Sequence, residues 1–191
     1  MLARLLFPIN PLDLVRDEAR QLRVRLADAL DEVAAALATR DRGRARAALQ
    51  RLNAVDEHRL DDAFSLARDV ARRAPWRRPL RRRLEALGVS WQELEASVTD
   101  ARAIATGALR LLGEGSAPAP ELVEAVRSAA AAVRTIVPAE ARTKADAAQV
   151  AASRARERDA SLGASVVTHG VISIAEHASR AAAAREAAAV A

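Results

Sequence analysis

His58, His169 and His177 are the chain's candidates for metal binding or proton transfer, and their spacing argues against a shared metal. On one helix His169 and His177, eight residues apart, stand about 12 Å apart along the axis. A metal at either would need ligands from other helices. Glu57 directly precedes His58, whereas helical di-metal centres use Glu-x-x-His. Cysteine is absent, which removes disulfides, a thiolate nucleophile and cysteine-ligated metal. Carboxylates such as Asp61, Asp62, Glu93 and Glu95 are plentiful but mostly stand at helical neighbour spacing from arginines, as Asp17 does from Arg20. Such pairs read as solvated. No Gly-rich phosphate loop, nucleophile elbow or Ser-His-Asp spacing occurs. The expectation is a protein that is not an enzyme and has no catalytic residue, cofactor or metal.

The densest charge is RRAPWRRPLRRR, in which Arg72, Arg73, Arg77, Arg78, Arg81, Arg82 and Arg83 surround Trp76 and two prolines. Placed at a corner between helices, it concentrates positive charge at one end of a rod. There it could meet anionic lipid headgroups at about 1 kcal/mol per arginine. A solvated corner whose arginines pair with nearby carboxylates is the alternative. Nucleic acid is disfavoured, because sequence-tolerant single-strand binding wants several aromatic platforms and only Trp76 is at hand.

The formal charge of +5 is carried almost wholly by arginine, Lys144 being the single lysine. That surplus favours nucleic acid, anionic lipid or acidic partners without choosing among them. It also suits helices, since arginine and alanine are both strong helix formers. At 191 residues the chain is long enough for one sizeable core. The longest uncharged apolar run, residues 161–175, falls short of the roughly 20 residues a spanning helix needs. Met1 to Phe7 is too short for a secretory signal.

The elements that position these residues are helical. Asn10 is an N-cap with Pro11 at the first helical position. Leu12, Val15, Ala19, Leu22, Leu26, Ala29, Val33 and Ala36 then repeat in steps of three and four, predicting a helix to about Thr39, roughly 45 Å long. Asp41 and Gly43 punctuate the chain. A second helix is expected over 44–73, with a bend or break within 53–59, ending at Pro75 and Pro79. A third begins near Pro79, with an interruption expected at Gly88 and Ser90 as a new N-cap. Its apolar rhythm is Trp91, Leu94, Val98, Ala101, Ala105, Ala108 and Leu112. Trp91, Leu94 and Val98 read as internal seam, with a groove for a partner helix as the alternative.

Residues 113–120, GEGSAPAP, form a loop. A helix over 121–137 is stopped or kinked by Pro138. Residues 139–159 are helical with little apolar face. Ser161 caps a last helix that trails into an alanine-rich tail. The fold class is all-α: an elongated antiparallel bundle of about four to six long helices. Residues 1–9 are a junction, 10–179 the bundle domain and 180–191 the tail.

LLFPINPLDLVRDEA, RRAPWRRPLRRRLEALG, GEGSAPAPELVEAVRSAAAAVRTI and SLGASVVTHGVISIAEHASRA together resemble the soluble helical domain of fusaric acid resistance (FUSC) or aromatic acid exporter-like membrane proteins, of actinobacterial type. The resemblance implies a block of membrane helices ahead of this domain, with Leu2, Leu5, Leu6 and Phe7 as the end of the last one. It further implies a cytoplasmic position beside the inner membrane, and as partners the membrane portion of the same protein or the inner leaflet. The arginine surplus agrees with the positive-inside tendency. A second copy of the chain is a further candidate partner. The resemblance carries no substrate-binding residue onto this chain, and His169-Gly170 departs from the ordinary helical segment expected there. The rival reading is a free-standing helical adaptor or signalling bundle that binds a protein partner through its long seams.

Overall fold

The computed structural model describes residues 11–55, 58–73, 78–115 and 117–190. These form seven helices: α1 (Pro11–Thr39), α2 (Arg42–Asn53), α3 (His58–Arg73), α4 (Arg78–Gly113), α5 (Pro120–Arg134), α6 (Pro138–Arg158) and α7 (Leu162–Val190). All-α is therefore correct, and the count rises above four to six. One cause is that the stretch 44–73, for which a bend or break was expected within 53–59, takes the break and forms two helices, α2 and α3.

α1 follows its sequence pattern closely. Leu12, Val15, Leu22, Leu26, Ala29, Val33 and Ala36 are all buried. It stops because Arg40 adopts φ 56°, which turns the chain back. The Asp41 N–H then donates to the Ala36 carbonyl at 2.9 Å, a bond that closes a left-handed C-terminal turn. Asp41 also starts the next helix, its Oδ1 accepting from the Arg44 N–H at 2.9 Å.

α4 corrects the expected interruption at Gly88. The helix is continuous from Arg78 to Gly113, and Ser90 is buried in it instead of capping a new one. An interior glycine costs about 1 kcal/mol, which the burial of Leu84, Trp91 and Leu94 on the same helix outweighs. The seam reading of Trp91, Leu94 and Val98 is correct, since all three lie in the core.

α5 ends at Arg134, three residues before the expected limit. Pro138 is the reason: it has no N–H for the Arg134 carbonyl and its ring would clash there, so Thr135 (φ −75°, ψ 127°) and Val137 (φ −68°, ψ 119°) are both extended, and Pro138 then serves as the first residue of α6. α6 was expected to have little apolar face. It has one made of alanine alone: Ala141, Ala145, Ala148, Ala151, Ala152 and Ala155 are buried. Ser161 caps α7 as expected, its Oγ accepting from the Ala164 N–H at 3.3 Å. The helix then continues to Val190, with Ala181 and Ala182 buried.

The most extensive interface joins α4 to α7, which run antiparallel. Glycine permits their approach. A Cβ on Gly163 would stand 2.8 Å from the Leu111 backbone nitrogen, and one on Gly170 would stand 2.6 Å from Ile104 Cγ1. Gly170, out of place in the sequence pattern, is thus the seat of a core isoleucine.

Candidate functional site: an arginine-lined cavity and its charged seam

The arginine-rich corner falls between α3 and α4. Arg72 and Arg73 close α3, while Arg78, Arg81, Arg82 and Arg83 lie in the first turns of α4. Arg77 lies outside the described residues, as do the side chains of Arg73, Arg78, Arg81, Arg82 and Arg83. Arg72 is exposed, and its Nη2 sits 2.7 Å from Asp69 Oδ1 one turn back. Leu2, Leu5, Leu6 and Phe7, assigned to the junction, also lie outside the described residues.

A cavity of about 410 Å³ opens between α1, α3, α4 and α7, with Ile136 of the α5–α6 connection at its edge. Its apolar wall is Phe64, Leu87, Trp91 and Leu94, and four arginines also line it. Two of these are engaged: Arg16 with Asp13 and Arg20 with Asp17, each one turn away on α1. Arg23 and Arg185 are different. Both are half-buried, and the Nε of each is cut off from solvent without a hydrogen-bond partner among the described residues. Burial, then the neighbouring charges of Arg185 and Arg20, lowers the Arg23 pKa to about 10. Burial also lowers that of Arg185. Two helices from opposite ends of the sequence thus bring like charges together at one wall.

Arg23, Ser90, Leu94 and Arg185 also face a smaller crevice that leads to a charged cluster between α4 and α7. Here His177 Nδ1 is 2.5 Å from Glu93 Oε2, and its Nε2 is 3.2 Å from Asp100 Oδ2. Arg180 donates from Nε to the same Glu93 oxygen at 3.0 Å. Burial pushes the Glu93 pKa up, but the hydrogen bonds from His177 and Arg180 outweigh it and hold the carboxyl below its usual range. The two carboxylates lie on opposite edges of the imidazole, so they cannot converge with it on one metal ion. Among the described residues no group of three His, Asp or Glu side chains could hold one.

Comparison with protein-family models, with curated proteins and with solved structures found no match.

His177 was legible as a candidate only in isolation. Its partner Glu93 is 84 positions away, and nothing in the local spacing links them. His169 on the same helix is exposed. Arg23 and Arg185 were not singled out, because arginine is spread through the whole chain. The signal that could have flagged Arg185 is its place in a tail whose neighbours are almost all alanine.

Proposed function

We propose that this chain is the water-facing, non-enzymatic helical domain of a membrane protein of the FUSC or aromatic acid exporter-like kind, an elongated antiparallel bundle that supports assembly or gating beside the inner leaflet. The observation that carries this reading is how early α1 enters the core. Leu12 is 6% exposed and Val15 2%, so the helix is anchored from its first turn. Whatever precedes Pro11 is therefore coupled to a helix that spans about 44 Å of the bundle. A displacement at its start is transmitted to α2, α3, α4 and α5, all of which pack on α1. No helix among the described residues is long and apolar enough to cross a membrane, which in this reading leaves spanning to preceding segments.

Two measurements test it. A reading frame that encodes a block of apolar helices ahead of Met1 supports the assignment, and one that encodes none removes it. Sedimentation with vesicles tests the contact with the leaflet. Retention on anionic vesicles at low salt, fading as salt rises, is expected; equal retention on zwitterionic vesicles overturns that contact.

A further inference from the structure

Between helices of this bundle, arginines end on acceptors: Arg44 on Glu32, Arg134 on Asp28 and Asp31, Arg158 on Glu121, Arg180 on Glu93, and Arg102 on the Leu52 carbonyl. Arg23 and Arg185 do not. Neither has a carboxylate at ion-pair distance among the described residues, and the Nε of each is shut away from water without an acceptor. A guanidinium in that position costs stability unless an acceptor arrives. The acceptor that suits both is an oxyanion, met by the Nη groups, which unlike the Nε atoms are not shut away and present planar donors to a carboxylate.

We propose that this cavity binds a single-chain acyl carboxylate, with the carboxylate received between Arg23 and Arg185 and the chain laid against Phe64, Leu87, Trp91 and Leu94. The wall decides the body of the ligand. Its four named side chains are apolar or aromatic, and at the rim Ile136 is 54% exposed, leaving apolar surface for a tail to cover. The size decides the length. A cavity of about 410 Å³ falls in the range that takes ligands well beyond a single ring, on the order of ten or more carbons. A one-ring acid would satisfy the arginines and leave most of the wall bare. Arg16 and Arg20 also line the cavity, but each is paired with an aspartate one turn away, which leaves Arg23 and Arg185 as the positive charge that an anion meets. This site goes beyond the membrane reading and does not rest on it.

Trp91 reports on the site directly. In the Trp76→Phe protein it is the sole tryptophan, and its fluorescence is followed during titration with decanoate, 1-decanol and benzoate below micelle-forming concentrations. Saturable binding of decanoate is expected, with at least tenfold weaker binding of decanol and of benzoate. The Arg23→Gln/Arg185→Gln double variant should lose at least tenfold for decanoate while melting no lower than the parent. Calorimetry on the unsubstituted chain repeats the titration, so a silent fluorophore is not taken for absent binding. Decanol binding as tightly as decanoate, or undiminished binding by the double variant, overturns the role of the arginines. Benzoate binding as tightly as decanoate overturns the acyl chain, and no saturable binding by either readout overturns the site.

Discussion

His177 on α7 presents Nδ1 to Glu93 on α4 at 2.5 Å, and this contact is the polar counterpart of the glycine-mediated packing farther along the same two helices. It lies on a side of the bundle where Ser97 is also buried, its hydroxyl donating to the Glu93 carbonyl at 2.8 Å. The cluster's carboxylate is thus held from α7, while the Ser97 hydroxyl is satisfied within α4 itself.

Glu93→Gln tests what this stitch contributes. Folded Glu93 is held below the ordinary value of 4.5, so the unfolded chain takes up that proton at higher pH than the folded chain does. The stability that results is complete above pH 4.5 and disappears as pH falls below it, through the lowered folded value. The variant should lose about 1 kcal/mol at neutral pH. Thermal melts at a series of pH values should show its deficit shrinking on acidification; a deficit that stays constant refutes the assignment.

Arg23→Leu is expected to stabilise the ligand-free fold. The lowered pKa of Arg23 means that its charged form is a cost in the folded state at every pH below about 10, relieved only as the pH rises from there toward the ordinary arginine value. Removing the charge should raise stability by about 1 kcal/mol, read as a higher Tm at neutral pH. A lower Tm would show that the guanidinium is better satisfied than the geometry indicates.

Gly163→Ala and Gly170→Ala should differ although both add one methyl group. The first Cβ meets backbone atoms of Leu111 at 2.8 and 2.9 Å, which can yield only if the helices part. The second meets Cγ1 of the Ile104 side chain at 2.6 Å and the Asp100 carbonyl oxygen only at 3.3 Å, so a small shift of that side chain relieves the closer contact without parting the helices. Gly163→Ala should cost roughly 2–3 kcal/mol and Gly170→Ala closer to 1, measured by urea denaturation. The reverse order would place the tightest contact at the wrong end of the pair.

Arg40→Gly should stabilise the chain by about 0.5 kcal/mol. Relief of the left-handed backbone at φ 56° exceeds the added freedom of the unfolded chain. Chemical denaturation of the two proteins side by side decides it, and a destabilised variant means the Arg40 side chain does more than tolerate its conformation.

The helices that announce themselves in the sequence are those with leucine, valine or isoleucine on one side. α1 and the second half of α4 are readable from Leu12 to Ala36 and from Trp91 to Leu112, because three-four spacing of large apolar residues has few other causes. α6 hid its buried face because alanine serves exposed and buried positions equally well. The Gly88 break failed since local propensity, worth about 1 kcal/mol, is weaker than the burial of Trp91 and Leu94 around it. The site is less legible still. Arg23 and Arg185 belong to the first and last helices, and only tertiary packing makes neighbours of them.

α6 carries the last consequence. A surface of methyl groups has no large knob to lock into a facing hole, so the grip on this helix resists small rotations weakly. Its ends are tethered instead by charge: Arg158 reaches Glu121 at 2.8 Å on α5, and Arg142 reaches Glu186 on α7. Ions in the surrounding solution weaken such exposed tethers and leave alanine contacts untouched. Ionic strength thus acts as a dial on one strut of the molecule, and amide exchange along α6 should quicken with salt before that of α4 or α7 does.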